Sequence, residues 1–408
     1  MKYKLNKKSV LQVVLLSCTL LCFTGCSVGS KDNSEEVAVC NRDGRYFMTE
    51  EGIYLEDEND ILRYFDFESK VTVVVCDKAE CEHKPAEYSN GASCNGQIES
   101  DQFAVYHSKI YYLAGGDQYN TTQLRCRDMD GNNDRQVAVL RGNVFPTDTS
   151  TCFYRDRLMV MTEISSGNTF NAETKEAENS TFVLSCIDLE TGDCDVVQES
   201  SGLLGFGYSI YKAEDGKFFY YSVEKEAFFS YNPEDKTVTE LQVPCTVKIG
   251  TEEEGNGINH LYHFAHGDYC YGVGGKETDC DRVLKTSITT GEEEIVYQNK
   301  EVYYVNYQNY LLIIDYSEGG LEDTESREFY LFDMKKQELV KLKNSFLSEP
   351  GMSIFDLVSE KGVLFSWAVH KEAGQRYYDG DFEYRYMTME DLLAGKDDYT
   401  SVYYLNQE

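Results

Sequence analysis

Tryptophan occurs once in the 408 residues and proline five times. Five prolines exclude long proline-rich linkers, and one tryptophan leaves little for stacking on sugar rings. Basic residues are scarce too: 38 Lys and Arg stand against 71 Asp and Glu, a formal net charge of −33. A surface of that sign repels nucleic acid and anionic lipid. Only Val10 to Phe23 is apolar over any length, broken at Gln12, and it is short for a bilayer span; nothing later approaches one. Gly-x-Ser-x-Gly, His-Glu-x-x-His and phosphate-cradling glycine loops are all absent. Carboxylates are so many that no pair stands out for acid–base work, so no catalytic residue is assigned.

What the chain has in quantity is Tyr and Phe, 32 and 21 of them, set in alternating patterns that favour strands. One pattern recurs seven times: an aromatic strand, a small polar turn, then a second alternating strand. The copies begin at Leu62, Leu124, Leu184, Phe228, Leu284, Phe329 and Tyr384, 44 to 62 residues apart. Before each lies another strand pair with a tight turn, as in "FAVYHSKIYYLAG" and "IYKAEDGKFFYYS". Each copy is therefore a four-stranded antiparallel unit with two apolar faces, and it can cover neither alone. Packing such units face to face around an axis buries both faces. The expectation is an all-β fold, a seven-bladed β-propeller over 38–408, with six or eight blades as the neighbouring counts.

The chain opens with Lys2, Lys4, Lys7 and Lys8, then the apolar run, then Thr24, Gly25 and Cys26. A basic head and short apolar core read as a secretory signal over 1–25. Small residues directly before a cysteine resemble the bacterial lipobox, with Phe23 where Leu is usual. Cleavage before Cys26 would leave its thiol to carry diacylglycerol. Residues 26–37 then form a polar tether. Membrane contact is expected only through that lipid, with the protein on the extracytoplasmic side of a bacterial cell surface.

Beyond Cys26 eleven cysteines remain, an odd number that cannot all pair within one chain. Cys76, Cys81, His83 and Cys94 share one connection, spaced C-x4-C-x-H-x10-C, between the first and second units. Thiolates and a neutral imidazole are the donors zinc prefers, and four of them close a structural site with no open position. A Cys81–Cys94 disulfide, or four residues without a shared role, are the competing readings. Cys186 with Cys194, and Cys270 with Cys280, each flank a turn and could bridge. "DMDGNND" sets Asp128, Asp130, Asn132 and Asp134 at alternate positions, as in a calcium loop. However, Gly131 falls early, Val139 stands where a closing Glu is expected, and the segment is itself a repeat turn. In "HLYHFAH", His260 and His266 share a strand face at a distance too great for one ion, and His263 points the other way.

The lipobox, the repeats and the Cys/His connection together resemble the extracellular propeller lipoproteins of Gram-positive anaerobes. Parts are similar to low-density-lipoprotein-receptor-related propellers, without their Tyr-Trp-Thr-Asp signature, and "MDGNNDRQV" resembles the turn of TolB-like repeats. The resemblance implies the fold and the location and brings no activity with it. The function expected is a binding or scaffold module for an unidentified solute, wall component or protein. The alternative is an extracellular glycan-active hydrolase or lyase on the same scaffold. A propeller hosts either, so fold alone does not decide.

Overall fold

A computed structural model describes residues 37–38, 44–57, 59–84, 94–98, 100, 102–115, 120–144, 150–164, 180–202, 207–249, 252–255, 258–276, 279–316, 326–348, 355–368 and 382–405. They belong to one compact unit, Val37–Glu408. Seven antiparallel sheets follow one another along the chain as blades 1 to 7, spanning 46–74, 102–141, 151–202, 208–240, 258–298, 302–341 and 357–405. This is the seven-bladed propeller that the repeats predict. Within each blade the strands run in chain order from first to fourth. First strands of neighbouring blades touch, as Tyr46–Met48 touches both Gln102–Tyr106 and Leu357–Ser359, which puts them nearest the axis.

The core lies between blades. Each strand alternates its side chains between the two faces of its sheet. Phe218, Tyr220, Phe229 and Tyr231 of blade 4 accordingly meet Tyr154, Met159 and Phe182 of blade 3. Tyr211, Tyr221 and Phe228, on the other face of blade 4, meet Tyr262 and Cys270 of blade 5. Blade 7 closes on blade 1 in the same way, through Leu357, Leu364, Tyr386 and Val402 against Tyr46, Ile53, Leu55 and Phe65.

Two features recur that the sequence pattern does not announce. In blades 2, 3, 5 and 7 the third and fourth strands slip register by one residue, and the residue skipped is Val137, Val197, Val296 or Val402. A bulge of this kind increases local twist and re-aims one side chain. Each of the four valines packs against a core between blades. The second feature is the turn between those strands. Gly131, Gly192, Gly291 and Gly395 adopt φ of 84°, 78°, 73° and 69°. A Cβ there would press on Asn95 O and Val75 O, Val137 O, Pro244 O or the Lys343 side chain, in the fourth strand of the preceding blade or the connection that follows it.

Three short strands lie outside the repeat. Val37–Ala38 pairs with the first strand of blade 3, Thr151–Tyr154, and Asn143–Val144 pairs with its second. Glu252–Gly255 adds to the axial edge of blade 5. The four-strand count thus holds for five blades, while blades 3 and 5 carry additions. In a strictly antiparallel blade, the first-to-second and third-to-fourth turns fall on one face of the ring. The second-to-third and blade-to-blade connections fall on the other. The first face is built of tight turns, two or three residues long between first and second strands. The second receives both ends of the longest connections, 165–179 and 369–381 among them. Among the described residues no helix is long and apolar enough to cross a membrane.

Candidate metal centre

The fourth strand of blade 1, Thr72–Val74, ends at Val75, whose N–H donates to Leu62 O at 2.9 Å. Cys76 follows at once. The returning chain is pinned at Gly96–Ile98, where Gly96 O accepts from Leu62 N at 2.8 Å and Ile98 N donates to Asp60 O at 2.8 Å. Cys94 sits two residues before that pin, buried at 4% exposure. Cys81 and His83 come from the described part of the segment between. Positive φ at His83, 53°, bends the backbone there.

The four ligand atoms lie within 4.8 Å of one another. Cys94 Sγ is 3.6 Å from His83 Nδ1, His83 N donates to Cys81 Sγ at 3.4 Å, and Gly96 N donates to Cys94 Sγ at 3.3 Å. A tetrahedron with bonds near 2.3 Å has edges of about 3.8 Å, so the four need to close in by only about an ångström. Burial pushes the Cys76 thiol up, but backbone hydrogen bonds from Lys78 and Asn95, with the thiols of Cys94 and Cys81, outweigh it and leave the pKa below its ordinary value. Cys94 goes the other way, up to about 12, through burial first and then the neighbouring thiols. Three thiolates crowded this closely repel one another; a dication among them removes that cost. The donor set and its spacing therefore fit a structural zinc site, and all four positions come from the protein.

Residues next to two of the ligands carry the site across to blade 2. Asn95 Nδ2 donates to Asp77 Oδ1 at 3.0 Å and to Asn132 Oδ1 at 2.7 Å, and Asn132 Nδ2 donates to Asp77 Oδ2 at 2.7 Å. Arg127, 4% exposed, donates through Nη1 to Asn95 O and Gln97 O at 2.7 and 3.0 Å. Asn132 belongs to the "DMDGNND" turn, and here that turn docks the Cys/His connection. Its carboxylates point to different partners: Asp128 to Lys109 and Asn133, Asp130 to Asn132 N, and Asp134 to Arg125 and Tyr112. They do not converge on a point, so the turn is a turn.

No disulfide joins any two of the ten described cysteines, so Cys81 with Cys94, Cys186 with Cys194 and Cys270 with Cys280 are not bridged. The register that spacing leaves open separates the last pair: Cys280 stands opposite Gly275 in the sheet, and Cys270 opposite Thr286. Cys270 meets Cys245 of the preceding connection instead, and both are buried.

The histidines also differ from simple alternation. The first strand of blade 5 bulges between Tyr262 and Phe264, which leaves His263 on the Phe264 side, facing blade 6. Its Nδ1 is 2.5 Å from Tyr304 Oη. His263 is exposed, and desolvation of its ring lowers its pKa. His266 lies at the strand end; burial, then Lys335, brings its pKa down to about 4 against a hydrogen bond with Asn309. Cys26, the expected lipidation site, and the signal before it lie outside the described residues.

No known protein family matches the sequence, and no curated protein does. Among solved structures the chain is similar to an oligogalacturonate lyase in complex with manganese, at 12% identity and a TM-score of 0.43 over 87% of this chain and 92% of that one. It is similar to oligopeptidase B from Leishmania major, at 9% and 0.48 over 91% of this chain and 49% of that one. It is also similar to the β-propeller domain of the trilobed protease from Pyrococcus furiosus, at 10% and 0.42 over 90% and 97%. The chemistry of the chain has to be read from its own residues.

Proposed function

We propose that this protein is an extracytoplasmic propeller, held to the membrane by a lipid on Cys26, that serves as a binding or scaffold module. In this reading Cys76, Cys81, His83 and Cys94 hold a structural zinc ion. The observation that carries the zinc assignment is the convergence of four protein donors within 4.8 Å, which leaves no position for substrate or water. Zinc there would supply rigidity to the connection between blades 1 and 2. The 71 acidic residues argue against a polyanionic partner such as nucleic acid.

A second reading, a glycan-active hydrolase or lyase, is favoured by one arrangement. His263 is exposed on a first strand, its pKa is lowered by desolvation, and its Nδ1 is 2.5 Å from the Tyr304 hydroxyl. Such a pair can move a proton. One experiment separates the two. The soluble chain from residue 27 is incubated with cell-wall and plant polysaccharides, and both depletion from solution and new chain ends are measured. Saturable binding without cleavage supports the module. Cleavage that disappears in His263→Ala supports the enzyme. Neither binding nor cleavage across the panel counts against a glycan ligand in both.

A further inference from the structure

The two residues Val37–Ala38 fix the direction in which the chain enters the ring. They pair antiparallel with the first strand of blade 3, Val37 opposite Tyr154 and Ala38 opposite Phe153. Tyr154 is the end of that strand and leads straight into the tight turn at Arg155–Asp156. Val37 is therefore at the tight-turn face and Ala38 is one step toward the other. The strand also touches the first strand of blade 2, so the entry is beside the axis rather than at the rim. Gly44 confirms the direction: its carbonyl accepts from Phe103 N at the start of blade 2, on the face of the long connections. The chain thus comes in at the tight-turn face, lies along the inner edge of blade 3 at Val37–Ala38, and begins blade 1 from the opposite face.

We propose that the tight-turn face is turned to the membrane and that the face of the long connections points away from it. This rests on the reading of Cys26 as the lipid anchor. From Cys26 to Val37 there are eleven residue steps, at most about 40 Å when fully drawn out and nearer 20 Å when relaxed. The strands of a blade span about 20–30 Å from face to face, and its four strands cover about 15 Å from inner edge to rim. To lay the long-connection face on the bilayer, a tether leaving near the axis would have to cross the tight-turn face, round the rim and climb the side. That path takes its whole contour. Leaving directly downward takes almost none, so chain entropy selects that pose. The acidic surface does not draw either face onto anionic lipid.

The consequence is a location for the ligand surface. The connection bearing Cys76, Cys81, His83 and Cys94 has both ends on the long-connection face, as do 165–179 and 369–381. That face would be presented to the medium, with the metal centre at the rim, where Asp77 and Asn95 meet Asn132 of a third-to-fourth turn, while the first-to-second turns form the membrane-side base.

The test places a small fluorophore, by unnatural amino acid, at exposed Glu234 on the tight-turn face or exposed Lys300 on the long-connection face. Energy transfer to a rhodamine-labelled lipid is measured in phosphatidylcholine vesicles carrying the full chain purified from producing cells. Transfer should be several-fold more efficient from Glu234. Equal transfer, or more from Lys300, overturns the orientation. A parallel arm replaces the lipid with an N-terminal hexahistidine before residue 27, on nickel-chelating phosphatidylcholine vesicles, and should give the same order. If the purified full chain does not float with vesicles while the hexahistidine arm gives Glu234 the higher transfer, the anchoring reading fails and the entry geometry stands. Equal transfer in the hexahistidine arm overturns the geometry whatever the lipid does.

Discussion

Single residues carry most of what is chemical here. His83 offers an imidazole to three thiols, and its replacement leaves a three-thiol site with an open corner. Elemental analysis of protein purified without chelator is expected to give about one zinc per chain. His83→Ala should retain well under half of that, with affinity down roughly 100-fold or more. Wild-type protein without metal above background would reject the site. His266 makes a pH prediction. Its pKa is about 4 in the folded chain, against about 6.5 for a free histidine. Between those values the unfolded chain binds the proton and the folded chain does not, so stability is full above pH 6.5, falls as pH drops toward 4, and levels off below. The loss is on the order of 3 kcal/mol at most. Urea titrations at pH 7, 5.5 and 4.5 should show it, and His266→Gln should flatten the part of the slope that belongs to this ring. An unchanged slope in the variant would assign the loss elsewhere.

At the scale of elements, the hairpins were legible because two signals coincide: alternation of period two, and turn residues that tolerate positive φ. All fourteen hairpins expected from sequence are present. Val37–Ala38 and Glu252–Gly255 were not legible. The first is too short for a pattern, and three consecutive glutamates have poor strand propensity, so both exist only because an inner edge offers partners. The bulged valines were equally hidden, since a register slip depends on the partner strand. The same holds for the metal centre: its ligands could be named from spacing, but the Asp77–Asn95–Asn132 bracket joins residues 55 apart and needed the fold. Turn glycines express one element pressing on the next. Gly192, at φ 78°, faces Val137 O of blade 2 where a Cβ would have to sit. Gly192→Ala combines left-handed strain with that contact and should cost about 2 kcal/mol or more. The equivalent position in blade 4 is Lys236, φ 57°, where the preceding blade leaves room for a side chain. Lys236→Gly should accordingly stay within about 0.5 kcal/mol of the parent. Denaturant midpoints for the two variants decide whether the contact or the backbone angle dominates.

Among the described residues, the ring closes without exchanging strands between its ends. All four strands of blade 7 come from 357–405 and all four of blade 1 from 46–74. The seam between them is thus held by side chains and a few cross-blade bonds rather than by a shared sheet. Tyr46 Oη donates to Tyr384 Oη at 3.2 Å, Thr72 Oγ1 donates to Val402 O, and the Arg63 guanidinium lies 4.4 Å over the Tyr403 ring. Two of these three contacts use Thr400–Leu405, the outermost strand of blade 7, and Val402 is one of the bulged valines of the core. Removing 400–405 would bare the third strand, Phe382–Thr388, as a new edge and withdraw Val402 from the seam at once. Exposed edges with apolar neighbours invite pairing with other chains. Truncation after residue 399 should therefore give aggregated protein, seen as void-volume material by size exclusion. Val402→Ala alone should remain monomeric while losing about 1–2 kcal/mol, the scale of deleting two buried methyl groups. A soluble truncation with parental stability would mean that the ring does not depend on its last strand for closure.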